Sequence, residues 1–578
     1  MYKYFLTLRY MLSKFLPHLS SLGVALCVFL SLTVISLFSG FLDKLEHAAR
    51  GLFGEIVIDA PGARGIAEYD EFIKYLAAEK TGVGDVTAAE PFIIGYGMLR
   101  LKVDPNFRQH VQVAGIRLPG REAVSNFAEG LMVQPGGKTL SFNPPAKQTI
   151  EAIQTVQSDM VNVLLEEIPK FASALSPAEK TRLHKSPYLT TSLLSEKKIT
   201  LTALQQQFLD RYLDALHLQL SAMARIRMQE QNAPRVKAAE AALAKAEASG
   251  MSETELEELR EELDDLRMRL EVIPDEYSVI PGAWVPGLSM RSPTGGTIRN
   301  IVPGHRMTLY VIPIGRGGSR TDIAPEMRMF KVTDSSESGV YSIDKLLVYV
   351  PFKTMQSLNH MDADEATGSL ARCSQIHLRI KGDGSEAALQ AAAQKIRVCL
   401  AEFLKTHPRM TLGGFPPMVE TWRERQSEIL QPLQQQRMLA IFALILISFV
   451  AVVLIFAILY MMTVQKTREI GLLKALGASN RGVAGLFFIF GSTIGVVGSA
   501  LGVTMAYFVV TNINAIQKGL GLQVFTRKTH LFSEIPNTLD WNAAIWVVAG
   551  AIIAGLLGAL IPAVRAAWKQ PVAALRYE

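Results

Sequence analysis

Long apolar runs alternate with charged stretches along this chain, and the lengths of these runs predict its membrane helices. The runs are uncharged and lie at 19–42, 438–464, 482–510 and 541–564. A helix that crosses the hydrocarbon core of a bilayer needs about 20 apolar residues. We therefore expect four transmembrane helices, TM1 to TM4, over these ranges. The first run is longer than the apolar core of a signal peptide, usually about 7 to 15 residues, so we expect it to be retained.

The residues between TM1 and TM2 contain no run long enough to cross a bilayer, and they predict a large mixed α+β domain. Short alternating apolar runs are typical of strands, and apolar positions at helical spacing are typical of amphipathic helices. The predicted strands lie at 55–59, 92–103, 110–115, 307–312, 346–350 and 374–380. The predicted helices lie at 68–79, 385–404 and 420–436. The domain is expected in two parts, 43–146 and 271–437.

Residues 147–270 differ from the rest of this domain, because they contain few aromatic side chains and have a helical period. Leucines recur there at alternating steps of three and four, which is the spacing of a coiled-coil seam. These leucines are Leu256, Leu259, Leu263, Leu266 and Leu270. Asn232 and Pro234 should separate two helices, because proline lacks the amide that a helix interior needs. The pattern predicts an inserted helical (coiled-coil) hairpin and leaves open whether it docks a partner or only packs on itself.

A short charged segment, 465–481, joins TM2 to TM3. Ile470, Leu473 and Leu476 fall on one helical face. Glu469 lies in the first turn, where a negative charge suits the helix dipole, and Gly477 supplies a stop. We expect a short helix along the membrane surface, which either docks into a groove on a separate protein or only anchors at the interface. The basic residues expected at the lipid headgroups are Lys466, Arg468 and Lys474.

Glycines recur at every third or fourth position of TM3. They are Gly491, Gly495, Gly498 and Gly502. Two successive GxxxG patterns permit close helix contact in lipid, so we expect these glycines to pack TM3 against neighbouring helices.

The charge distribution orients the membrane helices. The formal net charge is +6, but the basic residues concentrate at the flanks of the apolar runs. Membrane topology therefore accounts for them better than nucleic-acid binding does. The positive-inside rule places an interfacial helix at 1–18, the loop at 465–481 and the tail at 565–578 in the cytosol. The large domain and the loop at 511–540 are then extracytoplasmic.

The sequence lacks motifs for catalysis and metal binding. GGKT at 136–139 does not form a phosphate-binding loop, because Met132 occupies the position where that motif needs glycine. The four apolar runs contain no Asp, Glu, Lys or Arg, which removes the usual proton relay or ion path. We expect no enzyme activity, no metal and no cofactor on this chain, so an energy source must lie on another protein.

The sequence also allows predictions for two cysteines and two histidines. Cys373 and Cys399 could pair outside the cytosol, but two buried free thiols is the preferred interpretation. His305 and His360 are expected at the surface rather than as ligands of a metal.

Several stretches resemble known permeases. The run TREIGLLKALGASNRGVAGLFFIFGSTIGVVGSALG at 467–502 is similar to the FtsX-type permease domain of ABC systems. The end of the sequence, PAVRAAWKQPVAALRYE at 562–578, resembles lipoprotein-releasing permeases of the LolC/LolE type. Three further stretches fit the same family: YFLTLRYMLSK at 4–14, FKVTDSSESGVYSIDKLLVYVPFKTMQSL at 330–358 and TWRERQSEIL at 421–430. Residues 147–270 are an insertion that the family does not normally carry.

The resemblance implies a multi-pass permease subunit of an ABC transporter in the bacterial inner (plasma) membrane. Two ATPase subunits would carry ATP and Mg²⁺, and a second permease copy or a paralogue would complete the complex. The implied activity is extraction of lipoproteins from the inner membrane and their handover to a periplasmic carrier, with no nucleic acid involved. An alternative is an FtsX/MacB-like permease that activates an extracytoplasmic partner or drives tripartite efflux.

The resemblance also implies roles for particular residues. The ATPase-coupling residues would be Thr467, Glu469, Ile470, Leu473, Leu476 and Gly477. The lipoprotein cavity would be lined by Leu37, Phe38, Phe41, Leu42, Ile429, Leu433, Met438 and Phe442. A hook for the carrier would include Pro313, Arg316, Arg320 and Pro325.

Overall fold

The computed structural model of this chain divides into two compact units. The helical unit comprises Met1–Glu46, Gln426–Thr529 and Glu534–Glu578, and the sheet unit comprises His47–Arg425 and His530–Ser533. The residues that the structure describes are 15–60, 65–78, 85–101, 107–137, 139–249, 251–270, 272–292, 296–313, 324–364, 368–382, 385–411, 416–519 and 535–568.

The helices and strands are numbered in chain order. The α-helices are α1 (Phe15–Phe53), α2 (Tyr69–Leu76), α3 (Gly120–Val124), α4 (Ala146–Glu167), α5 (Pro169–Ala174), α6 (Pro177–Lys185), α7 (Thr190–Glu196), α8 (Ala203–Ala248), α9 (Glu253–Arg269), α10 (Tyr341–Asp344), α11 (Phe352–Leu358), α12 (Glu386–Thr406), α13 (Trp422–Arg425), α14 (Ser427–Gln465), α15 (Thr467–Ala475), α16 (Asn480–Thr511), α17 (Ile513–Gly519) and α18 (Trp541–Trp568). The strands are β1 (Ile56–Asp59), β2 (Ile66–Ala67), β3 (Val86–Leu101), β4 (Arg108–Ile116), β5 (Ser278–Pro281), β6 (Ser289–Arg291), β7 (Thr297–Arg299), β8 (Arg306–Val311), β9 (Glu326–Val332), β10 (Leu347–Pro351), β11 (Arg372–Cys373), β12 (Gln375–Ile380) and β13 (Met418–Thr421).

Four helices of the described chain are long and apolar enough to cross a membrane. The candidate spans are His18–Glu46 within α1, Leu430–Gln465 within α14, Asn480–Thr511 and Trp541–Trp568. Each coincides with one of the four apolar runs, so the prediction of four membrane-crossing helices is confirmed. The predicted helix at 1–18 lies outside the described residues as far as position 14.

The third of these helices, α16, lies very close to two neighbours because its glycines leave room. A Cβ atom added at Gly491 would lie 2.4 Å from the carbonyl oxygen of Gly555 in α18. A Cβ atom added at Gly502 would lie 2.6 Å from the carbonyl oxygen of Ala25 in α1. The corresponding approaches to α18 and to α1 occur at Gly495 and Gly498. Helix α16 therefore packs on α18 through the first pair of glycines and on α1 through the second pair.

The sheet unit contains a nine-stranded mixed sheet in the order β13-β1-β12-β3-β4-β10-β5-β9-β8, and β8 also pairs with β3. This last pairing closes the strands β3, β4, β10, β5, β9 and β8 into a ring. The long strand β3 belongs to both parts of the sheet, since Phe92 pairs with Gln375 of β12 and Ile93 pairs with Gly115 of β4. Alternate residues of β8 are buried, namely Met307, Leu309 and Val311, so the strand presents one apolar face to the core.

The insertion, α4 to α9, belongs to the sheet unit, and its first helices share a core with strand β7. Phe171, Leu183 and Tyr212 are enclosed in a core that also includes Ile298 of β7. Gln219 donates a hydrogen bond of 2.6 Å to the carbonyl oxygen of Arg299, which ties α8 to the same strand. The first half of α8 is therefore part of the folded body rather than of a free arm.

Helix α8 is continuous over 46 residues and contains Pro234, so the predicted break at this proline is wrong. The second half of α8 is paired with α9 through the ion pairs of Arg260 with Glu247 and of Arg267 with Glu240, each 2.9 Å long. A proline costs one hydrogen bond of the helix ladder. The neighbouring helix holds the backbone in place, so the chain continues as a helix. Coiled-coil geometry of this pair stays a prediction.

Two smaller expectations change once the fold is known, and a third is confirmed. Glu420 lies in strand β13, which pairs with β1, so the predicted helix at 420–436 begins later than expected. His305 is only 1% exposed and is therefore not a surface residue, because Val302 and α8 enclose it. Cys373 and Cys399 are buried free thiols.

Candidate functional site

The segment between α14 and α16 forms the short helix α15. The carbonyl of Met462 accepts a hydrogen bond from the amide of Lys466, which ends α14, and α15 begins at the next residue. Lys466 also donates to the carboxylate of Glu469 in the first turn of α15. Acidic side chains are favourable in the first turn because the amides there carry partial positive charge. The chain thus turns directly from one helix into the next.

The end of α15 is also defined by a turn with backbone hydrogen bonds. Gly477 has φ +95°, which is unfavourable for residues with a side chain, and its amide donates to the carbonyl of Lys474 at 3.0 Å. The amide of Ala478 donates to the carbonyl of Leu473 at 3.0 Å. Ser479 then accepts from the amide of Gly482 at 3.0 Å and starts α16. The hydrogen bonds on both sides of this turn fix the direction of α15 relative to α16.

One face of α15 is buried in the helical unit. Thr467 is buried, and its hydroxyl donates to the carbonyl of Thr463 at 3.0 Å. Ile470 is only 5% exposed and belongs to the same core as Val483 of α16 and Ala563 of α18. Ile470 is therefore a core residue of this chain, which corrects the expectation that it enters a groove on another protein.

Two large apolar side chains are exposed here, Leu472 of α15 and Leu476 directly after this helix, at 55% and 79% exposure. Leu473, between them in sequence, is partly buried. At about 100° per residue, Ile470 and Leu476 point about 120° apart, so Ile470 can be buried while Leu476 is exposed. Leu472 and Leu476 are four residues apart and form a narrow face. The four-residue spacing of Leu472 and Leu476 is visible in the sequence. Only the burial of Ile470 in the structure shows which face is exposed.

Lys474 has a hydrogen-bond partner within the helical unit, and its position at the lipid headgroups stays a prediction. Its ammonium group donates a hydrogen bond of 2.6 Å to the carbonyl oxygen of Ala567, near the end of α18. In the same turn of α18, the guanidinium carbon of Arg565 lies 5.0 Å from the centre of the Tyr460 ring in α14. Polar contacts therefore join the end of α18 to α15 and to α14.

The residues proposed to line a lipoprotein cavity lie on α1 and α14. Met438 and Phe442 of α14 are 75% and 62% exposed, and Leu37 and Phe38 of α1 are partly buried. Phe41, Leu42 and Leu433 are partly buried as well, and Ile429 lies in the first turn of α14. The described side chains of this set do not line the apolar crevice of about 290 Å³ in the helical unit. That crevice is lined, among others, by Val24, Cys27, Ile441, Ser448 and Ala551.

The predicted hook lies between two paired strands of the sheet unit. Strands β8 and β9 are antiparallel, and Val311 pairs with Glu326. Pro313 is buried just after β8, and Pro325 is exposed just before β9. Arg316 and Arg320 lie outside the described residues. The hook therefore stays a prediction.

Comparison with known proteins bears on this region directly. Residues 441–571 match the family model of the FtsX-like permease C-terminal domain. This chain carries an FtsX-like permease domain. The matched residues include α15, α16, α18 and most of α14. The resemblance seen in residues 467–502 is thereby confirmed.

The chain is also similar to curated permeases. It is 26% identical over 258 residues to the lipoprotein-releasing system transmembrane protein LolC of Xylella fastidiosa (strain 9a5c), which covers 44% of this chain and 56% of that protein. It is 26% identical over 170 residues to LolE of Haemophilus influenzae, covering 28% and 41% of the two chains. It is 26% identical over 114 residues to the uncharacterized ABC transporter permease YknZ of Bacillus subtilis, covering 20% and 25%. The chain thus spans about half the length of LolC and less of the others.

Proposed function

We propose that this chain is the permease subunit of an ABC transporter that extracts lipoproteins from the inner membrane and passes them to a periplasmic carrier. The observation that carries the proposal is the geometry of α15 inside the FtsX-like domain. This helix is anchored by Thr467 and Ile470 and presents Leu472 and Leu476 outward. Two adjacent exposed leucines on a rigid helix are suited to a groove on another protein.

The partner at α15 would be an ATPase subunit on the cytosolic side. Two such subunits would bind ATP and Mg²⁺, and a second permease copy or a paralogue would complete the complex. The coupling residues then divide into two groups with different tasks. Thr467, Glu469, Ile470 and Gly477 shape and hold the helix, while Leu472 and Leu476 contact the ATPase and Leu473 borders the contact.

The proposed orientation follows from the basic flanks of the membrane helices. Both chain ends and α15 would be cytosolic, and the sheet unit would be periplasmic. The predicted hook after Pro313 would then be available to a periplasmic carrier. The similarity to proteins named LolC and LolE supports this arrangement.

An ATP-driven step suits a lipidated cargo. Moving an acyl chain from lipid into water costs about 0.8 kcal/mol for each CH₂ group, so spontaneous release of a long chain is very slow. The exposed apolar side chains of Met438 and Phe442 on α14 offer a surface on which such a chain could be held. Closing this surface between two permease subunits would expel the cargo.

A double substitution at the exposed face tests the docking role. Leu472→Asp with Leu476→Asp should abolish co-purification of the ATPase and lower lipoprotein transfer to a soluble acceptor at least tenfold, because two charges would enter an apolar groove. Leu472→Met with Leu476→Met keeps an apolar surface and serves as the matched control. Leu472 and Leu476 are both exposed, so neither double variant should prevent the chain from entering the membrane. Normal transfer by the aspartate variant would refute the docking role.

The second candidate function is a permease that transmits conformation to an extracytoplasmic partner or drives tripartite efflux. The observation that favours it is the helix pair of α8 and α9, which the LolC/LolE type does not normally carry. In reconstituted vesicles, ATP hydrolysis that does not respond to lipoproteins would support this alternative over lipoprotein release.

A further inference from the structure

The last described turn of α18 has contacts with side chains of two other helices. Ala567 lies in this turn, and its carbonyl oxygen accepts the 2.6 Å hydrogen bond from Lys474 of α15. In a continuous helix a carbonyl pairs with the amide four residues on, and Pro571 has no amide hydrogen to donate. Lys474 therefore supplies a donor to this carbonyl.

A second contact and a shared core hold the same turn of α18. Arg565 lies over the Tyr460 ring of α14, at a distance suited to a cation–π interaction. Ala563 and Ala566 are fully buried in the core that contains Ile470 of α15. Small side chains allow helices to approach closely, so this turn of α18 is enclosed in the core that it shares with Ile470.

These contacts connect α15 to α18, which are not neighbours along the chain. Helix α15 is joined by the backbone to α14 on one side and to α16 on the other. Helix α18 is separated from α15 along the sequence by α16 and by residues 512–540. A displacement of α15 would reach α18 only through packing and through bonds such as that of Lys474.

We propose that Lys474 is a positioning residue that locks the end of α18 to α15, so that movement of α15 is transmitted to α18. This inference rests on the proposed function, in which an ATPase moves α15. Helix α18 in turn contacts α16 where Gly491 faces Gly555. The displacement of α15 would therefore reach α18 directly and change its position relative to α14.

The test compares Lys474→Met, which removes the donor and the charge, with Lys474→Arg, which keeps both. Spin labels at Val464 of α14 and Val564 of α18 report the distance between the two helices, since both side chains are more than 40% exposed. The labels are placed in a background in which the three native cysteines are replaced and lipoprotein transfer is retained. The protein is the complete chain, purified with its ATPase and reconstituted in vesicles.

The wild-type chain should show a change in the distance between the labels when a non-hydrolysable ATP analogue is added. Lys474→Met should keep the ATPase bound but lose most of this change, and its lipoprotein transfer should fall about tenfold, the effect of losing one charged hydrogen bond. Lys474→Arg should restore both readouts. A lysine that served stability alone would leave the nucleotide-dependent change in place.

Two results would overturn the proposal about Lys474. One is a wild-type chain that transfers lipoproteins while the distance between the labels stays constant, an observation that needs no variant to fold. The other is a Lys474→Met chain with the same distance change and the same transfer as the wild type. A wild-type chain that binds no ATPase overturns the proposed function itself, and the inference with it, so the two failures are distinguishable.

Discussion

Asp344 is a buried carboxylate of the sheet unit, and its two oxygens have different surroundings. The side chain is 3% exposed, and Oδ1 accepts a hydrogen bond of 2.8 Å from the amide of Ser338. Oδ2 is buried without a hydrogen-bond partner among the described residues. Burial, the largest cause, and the nearby charge of Glu337 together raise the pKa of Asp344 to about 7, against the lowering effect of the hydrogen bonds from Ser338 and Gly339. The folded sheet unit therefore favours the protonated acid.

This shift predicts how stability depends on pH. The folded pKa of Asp344 lies above the ordinary value of 3.8, so its favourable contribution is complete below about pH 4 and is lost as the pH rises through 7. The shift corresponds to about 4 kcal/mol. Asp344→Asn has no charge to bury, so its melting temperature relative to wild type should rise between pH 5 and pH 8. Thermal unfolding of the detergent-solubilised chain at both pH values measures this difference.

An exposed aspartate gives the matched control for this measurement. Asp362 is exposed, and Asp362→Asn should leave the difference from wild type nearly equal at the two pH values. A difference for Asp344→Asn that also stays constant would show that Asp344 is ionised in the folded protein throughout this range.

At the scale of the element, the glycines of α16 set how closely α16 and α18 approach. Gly491→Ala would place its Cβ 2.4 Å from the carbonyl oxygen of Gly555 and 2.8 Å from the Cβ of Ala559. Neither neighbour is the end of a flexible side chain, so the two helices must move apart. We expect a loss of about 1 to 3 kcal/mol, seen as a lower melting temperature in detergent.

Gly550 of α18 is the control for Gly491, because a Cβ atom added there meets nothing within 4 Å. Gly550→Ala should leave the melting temperature unchanged or raise it slightly, since alanine is a better helix former than glycine by about 1 kcal/mol. Equal melting temperatures for Gly491→Ala and Gly550→Ala would mean that α16 and α18 are not in close contact.

Sequence patterns predicted elements well where the signal is local. The length of the apolar runs was sufficient for α1, α14, α16 and α18, and alternation was sufficient for strands such as β8 and β12. The ring of strands could not be predicted, because it depends on the pairing of β3 with β8, whose residues Gly97 and Val311 are far apart in the sequence. The continuity of α8 through Pro234 was missed for the same reason, since α9 supplies the support.

The site shows the same division between local and distant information. The existence of α15, its start near Glu469 and its end at Gly477 are local properties and could be read from the sequence. The face of α15 that is buried depends on Ala563 and Ala566 of α18, nearly a hundred positions later in the chain, and no local pattern reports it. Sequence alone therefore located the candidate docking helix but chose Ile470, which faces inward.

At the scale of the whole molecule, the insertion has a fixed base and a distal arm. The base is the part of α8 that Gln219 ties to Arg299 and that Arg225 ties to the carbonyl of Gly304, at 2.6 and 3.0 Å. The distal arm, defined here as residues 241–264, contains the ion pair of Arg260 with Glu247, which joins α8 to α9. Removing the entire insertion would uncover the core around Ile298, whereas removing the distal arm leaves this core intact.

Replacing the distal arm by a short glycine-rich loop is therefore the sharper test of what the insertion does. Glu240 and Arg267 remain on either side of the new loop, so their ion pair can still hold the shortened helices together. We expect the truncated chain to melt within a few degrees of the wild type and to transfer lipoproteins within about twofold, because the arm is not part of α15 or of its anchors. Loss of transfer by a chain that still melts normally would show that the arm takes part in transport. If truncation instead abolishes activation of an extracytoplasmic partner while transfer is unchanged, the arm serves a second task that the transport cycle does not need.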